Sequence, residues 1–248
     1  MLTIEASPTT ETATATETSP GPDRQDGATS RTRTKVLVAA GALAGAFVAA
    51  TAIDLAMAHT THATAQFRQP IAAIDARIDG GSLRIVGTDD SETTVDATVH
   101  RGLHAPSHSV TVKDGQLVIR SSCTLAVMTT TCAVDYIVHV PHHVAVKARG
   151  NGSGVVISGV GGDVDVSVNG GRVDMAFDTA PHHVSADSNG GHINIRLPDD
   201  GDAYRVGTHS NGGSTNVGIR TDPTSDRTID AETNGGNIDI LYGPPRNG

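Results

Sequence analysis

Residues 164–177 read VDVSVNGGRVDMAF. The phrase returns as VSADSNGGHINIRL at 184–197, VGTHSNGGSTNVGI at 206–219 and IDAETNGGNIDILY at 229–242. In each copy, apolar or small residues fall at alternate positions on both sides of Asn-Gly-Gly. Successive side chains of a strand point to opposite faces, so period two means strand. Asn and Gly accept the positive φ of a tight corner. Each copy is therefore predicted as strand, turn, strand. Asn-Gly occurs at 151, 169, 189, 211 and 234, in steps of 18, 20, 22 and 23 residues, an internal repeat of about 20. The predicted turns are Asn151-Gly152, Asn169-Gly170-Gly171, Asn189-Gly190-Gly191, Asn211-Gly212-Gly213 and Asn234-Gly235-Gly236.

Two architectures use such a phrase. Asn-Gly between strands is a strong hairpin signal, and a meander of hairpins would close into a sandwich or barrel. In the alternative, each NGG is a corner and each repeat is one coil of a stack. The turn spacing is nearly constant, and equivalent positions match: Val164, Val184, Val206 and Ile229 precede the turn; Val173, Ile193, Thr215 and Ile238 follow it. The position three before the Asn is small (Ala148, Val166, Ala186, Thr208, Ala231), as a thin core requires. These features favour the stack, in which neighbouring coils cover the apolar face that one coil alone cannot bury. The expected fold is all-β, a right-handed β-solenoid-like stack of strand-NGG-strand repeats over residues 71–243. Looser copies open it: Asp79-Gly80-Gly81 precedes Leu83 and Ile85, and Asp114-Gly115 precedes Leu117 and Ile119. Segments 93–99, 109–113 and 134–140 also alternate as strands. Over 71–140 a sandwich stays open beside the solenoid. The open edge at the end of the stack calls for a cap or partner, and the Pro pair of the C-terminal GPPRNG would blunt it.

The composition excludes some functions. The chain has 248 residues, 28 Gly and no Trp, and aromatics make up 2%. Platforms for single-stranded nucleic acid stack bases on aromatic rings, of which this chain has only three Tyr and three Phe. The formal net charge is -9, and it is uneven: residues 59–162 balance 8 Lys/Arg against 8 Asp/Glu, whereas 163–239 hold 5 against 13. Such a surface repels nucleic acid, so no nucleic-acid partner is expected.

Residues 1–34 are rich in Thr, Ser, Pro and acid, and are expected to be a disordered cytoplasmic tail. Arg31, Arg33 and Lys35 then precede VLVAAGALAGAFVAATAI, 18 uncharged residues from Val36 to Ile53. Residues 35–58 are expected to form a transmembrane helix or signal anchor, with the membrane as partner through 36–58. Basic residues before the span place the N-terminus in the cytoplasm and the rest outside. The other reading is secretion after cleavage at Ala56-Met57-Ala58. Residues 59–70 would be a linker, 71–243 the exported domain and 244–248 a short tail.

Cys123 and Cys132 fit export. Outside the cytoplasm a pair at this spacing is most simply a disulfide, with a metal pair as the alternative. Twelve His all follow residue 58 and include PHHV at 141–144 and again at 181–184. A shared metal ion would need both pairs within bonding range, yet coils two apart lie about 10 Å from each other. Full His protonation would move the exported part, with 14 Lys/Arg and 21 Asp/Glu, from a net -7 to +5, which would suit a pH-responsive surface. Asp174, Asn194, Asn216 and Asp239 share one repeat position and would form an outward ladder, read either as a solvated face or as a Ca²⁺ site. Asn151-Gly152-Ser153 fits a glycosylation acceptor and also occupies a repeat corner. No G-x-S-x-G, H-E-x-x-H or S-x-x-K occurs. No catalytic residue, metal ligand or cofactor is assigned.

A span, a Cys pair, the strand VDYIVHVP at 134–141 and the NGG repeats together resemble the bacterial putative-adhesin family of β-strand-repeat domains of unknown function. LPDDGDAYRVGTHSNGGSTNVGI (197–219) and TIDAETNGGNIDILYG (228–243) carry the resemblance most closely. It covers residues 71–243 and implies a β-solenoid at the bacterial cell surface. The expected function is that of a non-enzymatic cell-envelope protein, displaying the solenoid for adhesion, scaffolding or contact with an envelope partner. The alternatives are an envelope enzyme acting on polysaccharide and a metal- or pH-responsive sensor.

Overall fold

The computed structural model describes residues 58–102, 104–123 and 132–243. The expected tail, the body of the expected span and residues 244–248 lie outside them. Among the described residues the chain is all-β, with seventeen strands in two sheets and no helix. The back sheet holds β2 (Ala73–Asp79), β5 (Ser107–Lys113), β6 (Gln116–Ser122), β8 (Ala145–Asn151), β10 (Val164–Asn169), β12 (His183–Asn189), β14 (Arg205–Ser210) and β16 (Thr228–Thr233). The front sheet holds β1 (His59–Phe67), β3 (Ser82–Thr88), β4 (Thr93–Arg101), β7 (Cys132–Pro141), β9 (Gly154–Ser158), β11 (Val173–Ala176), β13 (Ile193–Leu197), β15 (Thr215–Gly218) and β17 (Ile238–Tyr242).

The NGG corners are not hairpins. Each joins a back strand to a front strand, and these strands pair in parallel with their neighbours. One back strand, one corner and one front strand make a coil. The alternating apolar positions of both sheets meet in a single core: Val164, Val166, Val173 and Met175 from one coil, Val184, Ala186, Ile193 and Ile195 from the next, all at most 1% exposed. The small position is explained by register. Ala76, Ala148, Val166, Ala186, Ala231 and Thr208 form one continuous row across the back sheet.

The coils do not stack in chain order. In the back sheet the order is β14-β16-β12-β10-β8-β2-β6-β5, and in the front sheet β11-β13-β17-β15 closes the same end. The last coil, β16–β17, therefore slots between β12–β13 and the penultimate coil β14–β15. The outermost strands at this end are β14 and β15, not β17. The strand leading toward the C-terminal Pro pair is thus internal; the pair itself, expected to blunt the open edge, lies outside the described residues. The opposite end shows the same exchange: coil β6–β7 lies outside β2–β3, although it follows it in the chain.

Two expectations in the N-terminal half fail for physical reasons. Asp114-Gly115 is a hairpin turn between the antiparallel strands β5 and β6, with positive φ at both residues (52° and 73°). It is not a looser coil corner. Residues 59–67, expected as linker, form β1, an antiparallel edge strand on β4. In HTTHATAQF apolar alternation is confined to Ala63, Ala65 and Phe67, and most of the strand is exposed. Backbone pairing holds it, reinforced by cross-strand bonds such as His62 Nδ1 to Thr98 Oγ1 at 3.0 Å and Thr64 Oγ1 donating to Asp96.

Candidate functional site

The corners are built from two glycines with different tasks. Gly152, Gly170 and Gly190 adopt positive φ (65°, 77°, 97°); Gly212 and Gly235 do not. The second glycine serves packing. A Cβ on Gly171 would run into the Ser153 carbonyl, on Gly191 into that of Gly171, on Gly236 into that of Gly191, and on Gly213 into that of Gly236. That chain of contacts follows the stacking order, not the sequence. The corner asparagines form a ladder: Asn169 donates to Asn151 at 3.3 Å, Asn189 to Asn169 at 3.2 Å and Asn211 to Asn234 at 2.7 Å. Ser153 of the glycosylation-like triplet is 1% exposed, and its hydroxyl reaches the Asn151 carbonyl at 3.2 Å. At coil β6–β7 the disulfide Cys123–Cys132 takes the place of the NGG corner, with its Cα atoms 6.0 Å apart. The corner glycines and the disulfide thus shape the stack, and none of them lines a cleft.

On the front face the predicted ladder exists with a changed order. Because β17 sits inside, the row runs Asp174, Asn194, Asp239, Asn216, and acid alternates with amide. Asn194 donates to Asp174 at 2.9 Å and Asn216 to Asp239 at 3.3 Å, while Arg172 pairs with Asp174 at 2.9 Å. Each carboxylate is thus satisfied by neighbouring amide or guanidinium donors. Among the described residues no group of three or more His, Cys, Asp or Glu is placed to hold a metal ion.

The two PHHV copies are not level. Val184 is in register with Val164 and so with Val146, which leaves Val144 two residues upstream. His142 bonds the Gly159 carbonyl, with its Nε2 3.4 Å from Asp89, beside an open groove of about 630 Å³ that His143, Asp90 and Arg68 also line. His183 bonds Thr228 at 2.7 Å, outside that groove. A polar chain missed by sequence reasoning crosses the front sheet from β1 to β3. Thr60 lies 3.4 Å from His100 Nδ1, His100 Nε2 lies 2.9 Å from Asp135, and Ser82 donates to Asp135 at 2.7 Å. The connectivity is that of a hydroxyl-His-Asp relay. Acyl transfer needs donors aimed at a developing oxyanion. Here the neighbouring backbone N–H groups belong to the sheet ladder and the hydroxyl sits on an exposed strand. The arrangement ties the edge strand to the sheet.

The back face carries the strongest charge pattern. One outward row runs Arg120, Arg77, Arg149, Ser167, Asp187, Glu232, His209 across adjacent strands. Burial, with repulsion from Glu232, Asp165 and Asp230, raises the Asp187 carboxyl above the usual carboxylate range. Arg120 is held by Asp75 at 2.8 Å, and Lys147 pairs with Asp165 at 2.9 Å in the adjacent row. The row brings together residues more than a hundred positions apart, so no local motif announces it. Inside the core, burial pushes the Tyr136 phenol up to about 12.

No protein-family model and no curated protein matches the chain. Among solved structures, a putative cell adhesion protein from Clostridium sporogenes aligns with a TM-score of 0.54 at 12% identity, over 75% of this chain and 100% of that one. A putative adhesin from Bacteroides fragilis aligns at 14% identity over 73% of this chain and 97% of that one, with a TM-score of 0.36. The first likeness establishes a shared all-β fold.

Proposed function

We propose that this chain is a non-enzymatic cell-envelope protein whose 71–243 domain is a right-handed β-solenoid displayed for adhesion or scaffolding, anchored by a single span within 35–58. The observation that carries the reading is the surface of the stack. Its outward residues form polar ladders over two sheet faces, interrupted on the front face by Val156 and Ile137, a surface suited to broad contact more than to enclosing a small substrate. Likeness to a protein described as a putative cell adhesion protein supports the same role. Fold alone does not give function, so the test is direct. A C-terminal epitope tag on the full chain should be cleaved by protease added to intact cells and should stay with the membrane fraction. Cells producing the protein should bind neighbouring cells or surfaces more than cells lacking it. A tag protected in intact cells, or equal binding by both cell types, would sink the reading.

A further inference from the structure

We propose that the back face pairs with the same face of a second copy, with the two stacks running antiparallel. The outward row described above is segregated: two arginines with no ion pair among the described residues, Arg77 and Arg149, then Ser167, then two carboxylates, Asp187 and Glu232. All four charged residues are exposed. Like charges side by side on neighbouring strands are unfavourable, and elsewhere the protein avoids them. Lys147 lies beside Asp165, and on the front face Asp174 and Asp239 are separated by Asn194. This row is the exception, and it is symmetric about Ser167 on β10. Arg149 and Asp187 lie one strand to either side, and Arg77 and Glu232 two strands to either side. A two-fold axis along β10 in the plane of the face reverses strand order and keeps the row aligned. It sets Arg149 against Asp187 of the second copy and Arg77 against Glu232, and symmetry repeats each contact. Short Ser167 lies at the axis, and so does outward Asp165 two residues before it, whose repulsion from its own copy is offset by its ion pair with Lys147 at 2.9 Å. Arg120, farther out, is already engaged by Asp75. Partial desolvation, and then repulsion from Glu232, Asp165 and Asp230, raises the Asp187 carboxyl in the single copy.

Reversal also places the two β1 strands at opposite ends of the pair, because β1 is an edge strand of its sheet. Two copies anchored in the same membrane enter the pair from one side. Copies anchored in opposing membranes enter from both, which makes the pairing homophilic contact in trans. This consequence rests on the anchored reading above; the pairing itself does not.

Charge swaps test the pairing. The full chain in detergent micelles is followed by sedimentation at about 50 mM salt, where exposed charges are little screened. Wild type forms a pair that weakens as salt rises. Arg77→Glu/Arg149→Glu carries an acidic row, and Asp187→Arg/Glu232→Arg a basic one; each associates with itself at least about tenfold more weakly, and a one-to-one mixture regains wild-type association. If a double variant does not fold, Arg77→Gln/Arg149→Gln replaces it and shows the same loss. A wild type that stays monomeric overturns the proposal, including one that binds polyphosphate through Arg77 and Arg149 instead. Mixed variants that do not recombine also overturn it. In vesicles carrying the full chain, wild type draws vesicles together. Pairing in micelles without clustering of vesicles would instead count against the anchored reading.

Discussion

Coils β12–β13 and β14–β15 carry the same motif and end up in opposite situations. In the first, Val184, Ala186, Ile193, Ile195 and Leu197 are fully buried. In the second, Val206 is half-buried, Thr208 and Thr215 are exposed, and Val217 is 37% exposed. The difference lies in the residues. Where coils β12–β13 and β16–β17 place Ala and Ile, this one places Thr at 208 and 215. A coil with polar residues on its inner face is costly between two neighbours, since buried hydroxyls need partners. At the end of the stack it is the cap that stacked repeats require. The more apolar β16–β17, with Ile229, Ala231, Ile238 and Ile240 all at 0%, takes the inner place. Burial, rather than chain order, sets the order of coils.

This contrast can be broken at matched positions. The largest effect is expected at the second glycine of the corner. Gly191→Ala drives a methyl into the Gly171 carbonyl between two packed coils and should cost more than about 4 kcal/mol or prevent folding. Gly213→Ala meets the Gly236 carbonyl, but its coil has a neighbour on one side only and can move away, so a clearly smaller loss is expected. Ile240 and Val217 lie side by side in register. Ile240→Ala should cost about 2–5 kcal/mol in urea unfolding, as for a buried isoleucine, whereas Val217→Ala should cost less than about 1 kcal/mol. Equal losses at the two positions would show that the cap is not at the end.

The opposite end sharpens the comparison, since a covalent link stands where a glycine corner would be. Cys123→Ser/Cys132→Ser should lower stability by about 2.5–3 kcal/mol on the loop-entropy account, seen as a lower denaturation midpoint. The smallest effect concerns Asp187. Its carboxyl is raised in the folded protein, first by burial and then by Glu232, Asp165 and Asp230, so its ionisation opposes folding above that folded value. Asp187→Asn should therefore raise the melting temperature slightly near neutral pH, and the gain should vanish as pH falls through the carboxylate range. A gain that persists at acid pH would point to another cause.

The strands of the NGG repeats were legible because burial on one face imposes period two, and Val164, Ile193 and Ile240 obey it. The corners were legible because Asn-Gly is a local signal. β1 was not, since an exposed edge strand held by backbone bonds and Thr–His contacts alternates only over Ala63, Ala65 and Phe67. The exchange of the last two coils left a trace in Thr208 and Thr215, which a comparison of repeat polarity would have found. The arginine and carboxylate row was invisible from the chain alone: Arg77 and Arg149, or Asp187 and Glu232, become neighbours of one another only once strand order is known.

The interleaved C-terminus sets a timetable for assembly. Coil β14–β15 is synthesised before β16–β17, yet its docking surface is β16–β17. Until Thr228–Tyr242 exists, residues 205–218 have no native neighbour, and the exposed side of β12–β13 is open to the wrong coil. Every partly made chain therefore faces a choice that the finished chain does not: to dock the cap early and later be prised apart, or to wait with an apolar end uncovered. A chaperone or a slow step acting on this protein would have its point of purchase there, as it would at β7, which likewise slots between the earlier strands β3 and β4.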